Sequence, residues 1–162
     1  MTTVAELPED RSGTIIITVR ADGPDVSQVE LNFIGDSGTI YQSITVWNAG
    51  KIIFGAGEGA VEYKIADPLD GKNTIVLTLT DDGTTVAARV NDTDVAPISL
   101  PNIASATQVK VSYLSGSGTE STLDLVVSSP IPTWLWVSLG ISIFTIIVVG
   151  VLSSVAQSKK RK

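Results

Sequence analysis

A chain of 162 residues without cysteine or histidine forms no disulfide, thiolate nucleophile or Cys/His zinc site, and it lacks the commonest general base. Its net charge of −6 is unevenly spread: all 17 acidic residues lie at or before Asp124 with seven of the 11 basic ones, so that part carries −10 and the tail +4. Such an acidic domain repels phosphate backbones, which argues against a nucleic-acid partner, and it is long enough to bury a core of its own.

Residues 1–12 are polar and acidic and read as an N-terminal arm. They have no basic start, apolar centre or small-residue cleavage site, so they do not resemble a signal peptide. A period of two then takes over, the mark of half-buried strands. Residues 14–20 (Thr-Ile-Ile-Ile-Thr-Val-Arg) form a β-rich run, followed by a turn around Asp22-Gly23-Pro24. Val29, Leu31 and Phe33 alternate with Glu30 and Asn32, and Gly35-Asp36-Ser37-Gly38 turns the chain. In residues 39–48, Ile40, Ile44 and Val46 share one face and Tyr41, Thr45 and Trp47 the other. A turn at Asn48-Ala49-Gly50 precedes a short strand over 51–54, and a glycine-rich loop over 55–59 precedes the alternation of Val61, Tyr63 and Ile65.

Asp67-Pro68-Leu69-Asp70-Gly71 forms the next turn, and Ile75, Leu77 and Leu79 the next strand. Asp81-Asp82-Gly83 is the strongest hairpin signal, because Asp-Gly accepts the positive φ of tight turns. Val86, Ala88 and Val90 return, and an acidic turn spans 91–94. Residues 95–100 hold Pro97 and are an edge strand at best. Val109, Val111 and Tyr113, then Leu123, Leu125 and Val127, close the domain around the Ser115-Gly116-Ser117-Gly118 turn. About nine strands at 8–12-residue spacing predict an all-β antiparallel sandwich over 13–128, with no helix before the C-terminal stretch.

Residues 75–100 read as strand, Asp-Asp-Gly turn, strand, Asn-Asp turn and apolar edge, with Val90-Asn91-Asp92 ending the second strand. This is similar to the long hairpin of concanavalin-like and galectin-like jelly rolls. The resemblance covers about a quarter of the β domain and implies a jelly-roll-like sandwich. It does not extend to the galectin sugar-binding pattern of His, Asn, Arg and a stacking Trp with Glu-Arg. Trp47, the only tryptophan before the C-terminal stretch, is followed by Asn48-Ala49 and is assigned to the core in preference to a sugar platform.

No charge occurs between Asp124 and Lys159, and residues 134–156 are dominated by Leu, Ile, Val and Phe. As a helix rising about 1.5 Å per residue, this segment spans the roughly 30 Å of bilayer hydrocarbon. A linker over 129–133 contains Pro130 and Pro132, which favour an extended form that keeps the domain near the headgroups. Trp134 and Trp136 mark one membrane interface, and Lys159, Lys160, Arg161 and Lys162 of the 157–162 tail mark the other. The positive-inside tendency places the tail in the cytoplasm and the β domain outside it. The missing signal peptide keeps open a tail-anchored form with its domain in the cytosol. Lys159 and Lys160 also match a dilysine retrieval signal, read here as a basic stop anchor. Ser138 with Ser142, and Gly150 with Ser154, are small-xxx-small pairs that permit a homo-oligomer.

Asn91-Asp92-Thr93 is a glycosylation sequon that also suits a turn. Asp67 with Asp70, Asp81 with Asp82 and Asp92 with Asp94 offer oxygen ligands but lack an EF-hand loop order, so no metal and no cofactor is expected. Glu30, Glu58, Glu62 and Asp70 are the carboxylates a hydrolase would need, and their spacing singles out no pair. The expected function is therefore non-enzymatic: a single-pass, membrane-anchored structural or adhesive surface protein of an envelope, coat or virion, with the lipid bilayer and another surface protein as partners. The alternatives are a lectin-like glycan-binding module and a tail-anchored cytosolic adaptor.

Overall fold

Period-two burial decides how each strand faces. The computed structural model describes residues 2–23, 26–66, 69, 72–80, 83–114 and 120–128. All of these lie in the first of two units, Met1–Ser129. The strands are β1 (Thr2–Glu6), β2 (Thr14–Asp22), β3 (Gln28–Ile34), β4 (Ile40–Trp47), β5 (Lys51–Phe54), β6 (Val61–Lys64), β7 (Lys72–Thr80), β8 (Thr85–Val90), β9 (Thr93–Ser99), β10 (Gln108–Leu114) and β11 (Glu120–Ser128). Short 3-10 helices at Gly57–Gly59 and Pro101–Ser105 lead into β6 and β10.

The strands form two antiparallel sheets. One has six strands in the order β1-β10-β3-β4-β5-β6, the other five in the order β11-β2-β7-β8-β9. Ile15, Ile17, Val19, Ile75, Leu77, Leu79, Val86 and Val90 of the five-stranded sheet are fully buried. They face Val29, Leu31, Phe33, Ile44, Val46, Ile52, Val109 and Val111 of the other sheet, which are equally buried. This is the single apolar layer of a sandwich, flanked by polar outer faces.

The connections are held by specific groups. Asn91 has φ +50 and sits in a two-residue turn with Val90 opposite Thr93. Asn tolerates this left-handed backbone better than other side chains. Its N–H donates to Thr74 O at 2.8 Å, and its Oδ1 accepts from Thr74 N–H at 2.9 Å, so the turn is tied to β7. Gly50 has φ +75, and a Cβ there would stand 3.0 Å from Ile65 O. Asn73, completely buried, donates from Nδ2 to Ala21 O at 2.9 Å.

Residues 2–6 are not a free arm. The sandwich begins at Thr2, because β1 pairs antiparallel with β10 from Thr2–Ser112 to Glu6–Gln108. Backbone pairing needs no apolar alternation on an edge strand, so nothing in Thr-Thr-Val-Ala-Glu announced it. Eleven strands replace the expected nine or so, through β1 and through β9. Strand β9 is an edge strand that accommodates Pro97, with a register shift between Val86 and Ala88 of its neighbour. The predicted linker over 129–133, membrane helix over 134–156 and tail over 157–162 lie outside the described residues. Among the described residues, no helix is long and apolar enough to cross a membrane.

Candidate functional site

The outer face of the six-stranded sheet is read off its register. One row runs Ser112, Glu30, Thr45, Ile53, Glu62 across β10, β3, β4, β5 and β6, and the next runs Gln28, Trp47, Lys51, Lys64. Trp47 belongs to this outer face, half-buried, and not to the core. Lys51 Nζ lies 5.9 Å from the indole centroid, within cation–π range, and pairs with Glu62 at 3.3 Å. The Trp47 Nε1 donor is shielded from solvent and meets no acceptor. Asn32, on the same face, donates from Nδ2 to Glu30 Oε1 at 3.0 Å, and its own Oδ1 has no partner. Asn32 pairs with Ser43, four residues along β4 from Trp47, so the two unpartnered atoms stand about 14 Å apart along the strands and form no joint site.

The candidate carboxylates do not converge. Glu30 and Glu62 share a row but are three strands apart, about 14 Å at the usual strand spacing, beyond the separations used by glycoside hydrolases. Glu58 sits in the 3-10 helix before β6. Asp92 and Asp94 both lie near Arg89, at 3.9 and 3.6 Å. Among the described residues, no three Asp or Glu side chains cluster to hold a metal ion. Asn91, the candidate acceptor, is half-buried with its carboxamide oxygen engaged by Thr74. Asp67, Asp70, Asp81, Asp82, Trp134, Trp136, Lys159, Lys160, Arg161 and Lys162 lie outside the described residues.

Sequence reasoning missed the construction of one end of the sandwich. Arg11 reaches under the β9–β10 connection and donates to Ile103 O at 2.7 Å, to Ala104 O at 3.2 Å and to Ala106 O. Its Nε donates to Pro8 O at 3.2 Å. Burial of the guanidinium lowers its pKa. Thr107 N–H donates to Ile34 O, beside the turn that enters β4. An open cleft of about 470 Å³ lies at this end, lined by Ile40, Tyr41, Phe54, Val61, Leu100 and Pro101 among others. No local motif marks such a clamp, because its acceptors are backbone carbonyls.

No family model matches the chain, and no curated protein matches it either. Solved structures do. Sheep galectin-11 in complex with glycerol superposes with a TM-score of 0.57 at 11% identity, over 78% of this chain and 96% of that one. A tetrameric galectin from the ball sponge Cinachyrella gives 0.55 at 13% identity, over 78% and 99%. The Caenorhabditis elegans galectin LEC-6 gives 0.52 at 14%, over 76% and 89%. The fold is thus a galectin-like jelly-roll sandwich, as the hairpin over 75–100 suggested, and at these identities the likeness concerns the fold alone.

Proposed function

We propose that the chain is a non-enzymatic, single-pass membrane protein that presents its β-sandwich outside the cytoplasm as a structural or adhesive surface module. The observation that carries this is the uncharged run between Asp124 and Lys159, which begins within the last strand and ends in four basic residues. Such a run is long enough to cross a bilayer, and its basic flank favours the cytoplasmic side. The partner of the sandwich is another surface protein, met through the broad polar outer face of the six-stranded sheet. Protease protection on intact membranes, with carbonate extraction of a separate portion, tests the proposal. Digestion of the β domain from the outer face is expected. A protected domain supports the tail-anchored cytosolic adaptor instead, and recovery of the chain in the carbonate supernatant refutes the anchor.

A second reading, a glycan-binding module, is favoured by Trp47. A half-buried indole on an open sheet face beside Lys51 and Gln28 is suited to stacking on a sugar ring. Glycan-array binding that disappears in Trp47→Leu supports it, and silence of the wild-type chain removes it.

A further inference from the structure

One end of the sandwich collects almost all of its exposed large apolar side chains, and it is the end from which the chain departs. Ser128, the last residue of β11, pairs with Thr14. Thr14 follows Arg11, whose guanidinium holds the carbonyls of Ile103, Ala104 and Ala106. That connection borders the cleft lined by Ile40, Tyr41, Val61 and Pro101. The end so defined carries Ile40 at 58% exposure, Tyr41 at 38% and Val61 at 40%, and the last turns of β11 add Val126 at 58% and Val127 at 40%. Among the described residues, Val4 alone of the large exposed hydrophobics lies elsewhere, near the middle of β1. Among the described residues, the opposite end, with the turns at Asn48–Gly50 and Asn91–Asp92, exposes none.

We propose that this end docks on the surface of a zwitterionic lipid bilayer, with Ile40, Tyr41 and Val61 entering the headgroup layer. The proposal rests on the membrane-anchored reading above and adds which face of the domain meets lipid. Trp134, the first tryptophan of the apolar run, is six peptide steps on from Ser128. Fully extended, these six steps reach about 20 Å. The tether therefore keeps this end at a high effective concentration beside the membrane, where even a small apolar patch is engaged. Tyr41 has the amphipathic side chain that favours the interface.

Charge selects the lipid. Glu6, Glu9, Asp10, Asp36 and Glu58 are exposed at this same end of the sandwich, and its cation Arg11 is turned onto backbone carbonyls. Anionic headgroups are repelled by these carboxylates, and the anionic leaflet is the cytoplasmic one. The acidic end is accordingly matched to the other leaflet.

The absence of cysteine allows single labels. The full chain carrying Ser37→Cys at the docking end, or Ala49→Cys at the far end, is reconstituted in phosphatidylcholine vesicles and labelled with a fluorophore. Spin-labelled lipid in the bilayer serves as the quencher. Quenching is expected at position 37 and not at 49, and it is lost when Ile40→Asn and Val61→Asn are combined. Doping the vesicles with anionic lipid is expected to weaken it. Equal, weak quenching at both positions in carbonate-resistant protein overturns the docking and leaves the anchor standing. Quenching at 37 that survives the double substitution overturns the role of the apolar residues. Extraction of the chain by carbonate overturns the anchor and the docking together.

Discussion

Replacing Arg11 by Ala removes the group that closes one end of the sandwich. Three carbonyls of the β9–β10 connection and one of Pro8 lose a charged donor. The Ala104 contact is exposed, and water replaces it at little cost. The contacts to Ile103 and Ala106 are partly buried, beside two residues that are fully or almost fully buried. A hydrogen bond from a charged group is worth about 1.5–3 kcal/mol, and an abandoned buried acceptor costs about 1–3 kcal/mol. The side-chain stem also covers Gly83, where a Cβ would lie 3.1 Å from Arg11 Cδ. Because the contacts share one guanidinium they do not add, and a loss of about 2–4 kcal/mol follows. At a urea m-value of about 2 kcal/mol/M, the midpoint falls by about 1–2 M. Urea titration of the full chain in mild detergent, followed by far-ultraviolet circular dichroism, measures it. Arg11→Lys is expected to recover less than half of the loss, since an ammonium is a point donor and not a planar fork. A midpoint unchanged in Arg11→Ala, or fully restored in Arg11→Lys, refutes the clamp.

Other positions give equally definite outcomes. Asn91→Ala loses both the tolerated left-handed backbone and the Oδ1 acceptor for Thr74, and is expected to cost about 1–3 kcal/mol; Asn91→Gly keeps the backbone and costs less, as paired thermal melts would show. Gly50→Ala forces a Cβ toward Ile65 O at positive φ and is expected to destabilise by about 1–2 kcal/mol in a urea titration. The Asp10 carboxylate accepts from Ser12 N–H at 3.0 Å, and this bond holds its pKa below the usual value. Its stabilisation is therefore complete above the ordinary aspartate pKa of about 3.9 and fades as pH falls through the depressed value. Asp10→Asn should make the melting temperature slightly less sensitive to acid below about pH 4, and an unaltered or steeper acid limb contradicts this.

Alternation along the chain was enough to find the strands with an inward face. Ile15, Ile17 and Val19, or Ile75, Leu77 and Leu79, can be buried together only from one side of a strand. The same rule is blind to β1, an edge strand held by main-chain bonds, and it undervalued β9 because Pro97 interrupts it. Strand order was legible only where a short turn joins neighbours, as between β7 and β8. That β10 inserts between β1 and β3 depends on long-range pairing that no local pattern encodes. Trp47 was assigned to the core in preference to a sugar platform, yet parity with Thr45 sets it outward, where Lys51 lies over the ring. The outer face was hidden because it exists only when five strands are laid side by side.

The neighbour of β2 on its outer side is β11, so Thr14 waits for Ser128 before its hydrogen bonds are complete. During synthesis, the second strand emerges early and its partner last, directly ahead of the apolar run. Until then, one flank of the five-stranded sheet is an open edge with the main-chain groups of β2 unpaired, the sort of surface that invites wrong pairings. Closure of the sandwich is in this way timed to the synthesis of the segment that follows it, and a chain cut short before β11 would be left both unfinished and sticky.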